Sequence, residues 1–207
     1  MTDETAHYYE PANGHGLVHD PFNAIVGPRP IGWIASVNAH GGRNLAPYSF
    51  FNAFNYRPPI VGFASIGWKD TVANVEATGE FVWNLATWPL AKAMNASSAT
   101  VASDVDEFEL AGLTPAPSRL VAAPRVAESP VNFECRLSQL IRLKSAAGED
   151  TPAWLVLGEV VAVHIDRGLI KDGVYDTAGG QPILRAGRMG DYAAIRPDAM
   201  FEMPRPA

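Results

Sequence analysis

Cysteine is almost missing from this chain of 207 residues, with Cys135 as the single one. An intrachain disulfide and a cysteine-based metal cluster are therefore excluded. Charge is sparse too, at 18% of residues, and the net value is -6. The Lys and Arg residues are scattered. A nucleic-acid partner is not expected, because a phosphate backbone calls for a clustered basic face. No stretch approaches the roughly 20 consecutive apolar residues that span a bilayer, so no membrane partner is expected. The start, MTDETAHYYEP, is polar and acidic and lacks the basic opening and apolar centre of a secretion signal. A cytoplasmic location is the resulting expectation.

Familiar catalytic signatures are missing as well. There is no Gly-x-Gly-x-x-Gly after a strand, no Walker-type loop and no Gly-x-Ser-x-Gly elbow. The histidines are His7, His15, His19, His40 and His164. His15 and His19 have the spacing of a helical metal pair, but Gly14 and Gly16 argue against a helix, and no metal site is expected. His164 ends an apolar strand and reads as a satisfied core or edge histidine. No acid–base pair stands out, and no catalytic side chain is assigned. That pattern suits proteins in which a cofactor carries the chemistry and the chain binds and orients it.

What is abundant is proline and glycine, 17 and 18 residues, placed between short apolar runs. This favours many strands joined by turns. IGWIASVN reads as a strand, AHGG as a hairpin turn, NLAPYSFF as the returning strand and IVGFASI as a third. Pro47 within the second suggests an edge, a bulge or a break beside a ligand. KDTVANVEATG reads as a helix stopped by Gly79, and EFVWNLAT as a strand. WPLAKAMNASSA reads as a second helix with Pro89 in its first turn. VDEFELAGL reads as a short helix ending near Gly112. The segment from Thr114 to Pro130 is expected to cross the surface. VNFECRLSQLIRL and AWLVLGEVVAVHI read as long strands, the latter central. In the former, Phe133, Cys135, Leu137 and Ile141 share one face, with Cys135 a buried thiol. The tail after Tyr192 is expected to be ordered only by a partner chain.

Ser65, Lys69 and Thr71 lie where a strand ends and a helix begins at Asp70 or Thr71. A helix start offers unpaired N–H groups and a positive dipole end, and the two hydroxyls and the lysine complete a phosphate site. Asp70 would repel a phosphate and is expected to cap the helix instead. An ordinary capped surface helix fits the same residues. Arg29 and Pro30 precede the first strand. Arg29 reads equally well as a ligand to an anion or a sugar-chain oxygen and as a surface arginine.

The ordered set PRPIGWIAS, NLAPYSFFN, SIGWKDTVAN, GEFVWNLAT, MNASSA, DEFELAGLT, PRVAESPVNFEC and RAGRMGDYAAI resembles the flavin reductase-like family, whose members include flavoredoxin. The resemblance covers roughly Asp20 to Ile195. It implies a mainly β single domain over 1–207, a Greek-key, FMN-binding split β-barrel with a few short peripheral helices, and with 1–19 and 196–207 as tails. It implies that Pro47, Tyr48, Ser49, Phe50 and Asn52 hold the flavin ring. Ser65, Lys69, Asp70 and Thr71 would surround the phosphate. Arg29, Pro30, Arg188 and Tyr192, with Arg185 beside them, complete the set. The implied activity is hydride transfer from NADH or NADPH to FMN. A flavoredoxin-like electron-transfer protein without a nicotinamide site and a non-enzymatic FMN-binding module are the alternatives. A homodimer and a monooxygenase or electron-transfer partner are also implied, and Trp68 and Trp88, aromatics expected to be exposed, are candidates for the dimer interface.

Overall fold

The apolar runs become seven strands of one antiparallel sheet, seen in a computed structural model that describes residues 5–206. They are β1 (Gly32–Val37), β2 (Arg43–Tyr48), β3 (Phe51–Tyr56), β4 (Pro59–Ile66), β5 (Glu80–Asn84), β6 (Val131–Lys144) and β7 (Asp150–Ile165). Their order across the sheet is β2-β1-β5-β6-β7-β4-β3. Among the described residues four short α-helices accompany them: α1 (Phe22–Ile25), α2 (Asp70–Thr78), α3 (Ala91–Ala96) and α4 (Glu107–Leu110). The fold is mainly β, as expected. None of the described helices is long and apolar enough to cross a membrane.

β2 and β3 form the two opposite edges of the sheet, yet only Ser49 and Phe50 separate them in the chain. So short a link spans about 10 Å at most. The sheet must curl until its edges meet, which makes a barrel with a seam. At the seam the Phe50 carbonyl accepts from the Ala64 N–H of β4 at 2.8 Å. The Tyr48 ring lies 4.6 Å from that of Phe63, also on β4.

Alternation then sorts the side chains. On β1, Ile34 points into the barrel with Val61, Phe63, Phe81, Trp83, Cys135 and Val156, and Val72 and Val75 of α2 close one end. Trp33 and Ala35 point outward, against Leu45, Met94 of α3 and Phe108 of α4. Two glycines permit the tight curl. A Cβ at Gly158 would sit 2.4 Å from the Phe81 ring, and one at Gly62 would sit 2.9 Å from the Val156 carbonyl. The β6–β7 ladder shifts register at Leu157/Gly158 and Val160/Ala162, where bulges bend the strands.

The hairpin turn at AHGG is present, with the Asn38 carboxamide oxygen accepting from His40 N–H and Gly42 N–H at 2.9 Å each. Several expectations need correction. NLAPYSFF is not one strand, because the chain breaks after Tyr48 and Phe51 opens a new one. The second helix is only Ala91–Ala96, and Pro89 stands in the turn before it. The segment from Thr114 to Pro130 is no plain surface crossing, since Val121, Ala123 and Val126 insert into the outer cluster. Ile141 leaves the face of Cys135, because a bulge at Ser138 shifts the alternation by one residue; Leu140 packs inward instead, and Ile141 is 37% exposed. Tyr192–Ala194 is ordered within its own chain, paired with Ile183–Arg185, which in turn pairs with Arg29–Pro30.

Cys135 is fully buried, and burial pushes its thiol pKa up. His164 is satisfied: its Nε2 lies 2.5 Å from the Glu134 carboxylate. Glu134 is also buried and accepts from the N–H groups of Arg119 and Leu120 at 2.8 and 2.6 Å. Burial alone would raise its pKa, but those N–H groups and the His164 ring hold it below the usual carboxylate value of 4.5. A lowered carboxylate pKa stabilises the fold above the unfolded-state value, and that contribution is lost as pH falls through the folded value. Glu134→Ala is expected to cost about 2–3 kcal/mol at neutral pH by leaving these donors unpaired, measured by urea denaturation. Glu134→Gln should remove the acid-dependent part, so its stability and the wild type's converge below pH 4.5.

Candidate functional site

The approach to α2 sets up the candidate site. After β4 the chain turns at Gly67, whose φ of +89° suits glycine. The Ser65 hydroxyl donates to the Gly67 carbonyl at 2.9 Å and fixes this turn. The N-cap position is Lys69, with extended backbone angles and no side-chain cap. Asp70 is therefore not the cap that was expected but the first helical residue. The first turn of this nine-residue helix keeps its N–H groups clear of any side-chain cap. Its far end closes normally, with Gly79 N–H bonded to the Val75 carbonyl at 2.9 Å.

β2 runs past this helix start as a sheet edge, and Pro47 is at home there because no ladder bond is asked of it. Leu45 N–H points off the edge to the Glu107 carboxylate at 3.0 Å. Pro47, two residues on, shares that outward phase. Asn44 reaches the other way, and its amide donates to the Thr71 hydroxyl at 2.8 Å. Between the edge and the helix start lies a cleft of 280 Å³, and the loop 97–101 covers its other side.

The cleft gathers Pro47, Tyr48, Lys69, Asp70 and Thr71 from the expected set. Ser65 lies beneath it, its hydroxyl beside that of Tyr48. Asn44, Ser97, Thr100 and Glu107 also line the cleft without having been singled out in the sequence. The signal for Asn44 and Ser97 was their position within NLAPYSFFN and MNASSA. Glu107 lies in DEFELAGLT, which carried the same positional signal, but its own role there was not legible. It becomes part of the cleft because α4 docks on the edge strand, where Asp106 caps the helix and also pairs with Arg43 at 2.5 Å.

The other expected residues lie elsewhere. Arg29 is no surface arginine but is only 8% exposed. It donates to the Ser49 carbonyl at 2.9 Å and to the Asn23 carbonyl, with its guanidinium 5.4 Å from the Phe50 ring. Burial first, then the charge of Arg185, lowers its pKa from the usual arginine value. Arg185 donates to the carbonyls of Gly187, Arg188 and Asp191, shaping its own loop. Arg188 is solvent-exposed beside Asp191, and Tyr192 lies under the Arg185 guanidinium. Pro30 and Asn52 line a second, apolar cavity of 500 Å³ with Phe51, Trp83 and Phe133.

Tyr48 is 7% exposed, and its hydroxyl has no hydrogen-bond partner. Burial raises its pKa above the ordinary tyrosine value; the Thr71 and Ser65 hydroxyls oppose that, while the charges of Asp70 and Glu107 add to it. Glu107 is held up as well, first by burial, with Leu45 N–H opposing and Asp106 and Asp70 adding. An orphaned buried hydroxyl, an uncapped helix start and an open strand edge in one cleft fit a flat ligand that carries an anionic group. A curled sheet with such a cleft at its seam defines the class: a ligand-binding split barrel.

The profile of the flavin reductase like domain matches residues 27–183. An uncharacterised protein of Halalkalibacterium halodurans is 35% identical over 164 residues, which is 76% of this chain and 78% of that protein. The crystal structure of nitrilotriacetate monooxygenase component B from Bacillus cereus superposes with a TM-score of 0.81 at 31% identity, covering 88% of this chain and 90% of that one. The 2-nitrobenzoate 2-nitroreductase of Pseudomonas fluorescens superposes with a TM-score of 0.78 at 28% identity, covering 90% and 91%. The chain belongs to the flavin reductase-like family. Its function is accordingly of the flavin-related oxidoreductase type.

The raised pKa of Glu107 means that protonation favours the fold. Its contribution is present below the usual carboxylate value of 4.5 and lost as pH rises through the folded value. Glu107→Gln keeps an acceptor for Leu45 N–H and removes the buried charge. Its denaturation midpoint at pH 7 should exceed the wild type's, and the gain should vanish below pH 4.5.

Proposed function

We propose that the protein binds FMN in the cleft between β2 and α2 and acts as an NAD(P)H:flavin oxidoreductase, working as a homodimer. The observation that carries this reading is the meeting of the open β2 edge with the uncapped start of α2. The helix N–H groups, Thr71 and Lys69 suit the phosphate. The outward backbone of β2 around Pro47 suits the polar edge of the ring. Ser65 supports the turn into α2, and Asn44 sets the Thr71 hydroxyl. Asp70 accompanies the positive helix end, which favours a carboxylate there.

FMN, when bound, supplies the ring that accepts a hydride from a reduced nicotinamide. The chain's contribution is orientation, which converts an encounter into a fixed approach. Arg29 serves this by holding Ser49 and Phe50 at the seam, one step removed from the ligand. Its charge needs no proton exchange, so no titrating side chain is assigned to the reaction. β3 supports the dimer reading, because it is an exposed edge strand with Phe54 at 55% and Tyr56 at 81% exposure. The similarity to a monooxygenase component favours a monooxygenase as the consumer of reduced flavin.

Flavin bound to the purified protein should bleach rapidly under anaerobic conditions on adding NADH or NADPH. Bleaching only by a reduced protein donor would select the flavoredoxin-like reading, and bleaching by neither would leave a non-enzymatic FMN module. Lys69→Ala should weaken FMN by about tenfold at low salt, followed by flavin fluorescence. The deficit should shrink as added salt screens this exposed charge.

A further inference from the structure

The two buried hydroxyls nearest the start of α2 are already engaged. Thr71 Oγ1 accepts from Asn44 at 2.8 Å, and Ser65 Oγ donates to Gly67 at 2.9 Å. The buried Tyr48 differs from these two. Its hydroxyl sits beside those two groups on a side chain that lines the cleft, is nearly fully buried, and makes no hydrogen bond of ordinary length and angle to either. Leaving a buried hydroxyl unpaired is destabilising. The ring needs only to pack on Phe63, which phenylalanine would do as well.

We propose that the Tyr48 hydroxyl is a dedicated donor to the phosphate group of the ligand, and that it makes the site select FMN over unphosphorylated riboflavin. This rests on the FMN reading given above, and it moves Tyr48 from the flavin ring to the phosphate. Three observations support it. The hydroxyl lies at the helix start, where an anion is favoured, rather than along the β2 edge where the ring's polar groups would lie. Burial and the neighbouring Asp70 and Glu107 keep it protonated at neutral pH, so it is available as a donor. A phosphate presents three terminal oxygens, which can take bonds from the helix N–H groups, Lys69 and Tyr48 together. A neutral hydroxymethyl end, as in riboflavin, gains less from a donor-rich cradle.

The decisive variant is Tyr48→Phe, with dissociation constants for FMN and for riboflavin measured by fluorescence titration. The expected result is FMN binding weaker by about tenfold or more with riboflavin unchanged within about twofold, so that the preference for FMN collapses. The flavin-free variant should melt at the same temperature as the wild type or about 2–4 °C higher, because an unpaired polar group has been removed. An unchanged FMN-to-riboflavin preference overturns the proposal. So does a lower melting temperature of the flavin-free variant, which would mean the hydroxyl is bonded within the protein. If wild-type protein binds neither flavin, the FMN reading itself fails. Inorganic phosphate then serves as the probe. Thermal protection of the wild type that Tyr48→Phe reduces supports the hydroxyl as an anion donor, and equal protection overturns it.

Discussion

The two-residue link from Tyr48 to Phe51 governs the rest of the molecule. It ties the opposite edges of a seven-stranded sheet, and a sheet so tied cannot lie flat. The other special features serve this closure. Gly62 and Gly158 allow facing strands and the Phe81 ring to approach within distances that any Cβ would forbid. Bulges in the long β6–β7 ladder bend it around the interior aromatics. Arg29 locks the link itself, bridging Ser49 and Asn23 while covering Phe50. A planar guanidinium with several fixed donors suits this work, and it stays charged even though burial lowers its pKa.

The seam is also the origin of the site. A sheet edge is ordinarily a hazard, because its unpaired backbone groups invite another strand. Here the β2 edge is blunted by Pro47 and by Glu107, whose carboxylate takes the Leu45 N–H. The remaining length runs into the uncapped start of α2 and is available to a ligand. The cleft carries local costs: a carboxylate with a raised pKa, a tyrosine hydroxyl without a partner and a helix without a side-chain cap. Each weakens the protein alone, and the last two are features that an anionic ligand would relieve. The opposing behaviour of Glu134 makes the contrast clear. There several donors satisfy a buried carboxylate, and its function is structural.

Much of the fold was legible in the sequence. The strands around Ile34, Phe63, Val82 and Val156 follow from short apolar runs between turn residues, that around Cys135 from alternation, and Gly79 ends α2 as a local rule predicts. The break at Ser49 was not legible, because NLAPYSFF is apolar enough to read as one strand and its division depends on closing the barrel. Lys69 rather than Asp70 takes the cap position, because capping depends on backbone angles that sequence alone leaves open between adjacent residues.

Of the candidate site, the sequence by itself determined the segments that meet in the cleft: the strand end at Pro47 and Tyr48, the helix start at Lys69 to Thr71, and the family that joins them in order. These are local or ordered patterns, and local propensity and spacing suffice to write them. Only the tertiary structure decided that Arg29 secures the seam, that Glu107 meets Leu45 across 62 residues of chain, and that Tyr48 turns its hydroxyl beneath α2. The physical reason is the curl of the sheet. Which distant side chains face one another is set by how far a barrel closes, and no stretch of neighbouring residues encodes that alone.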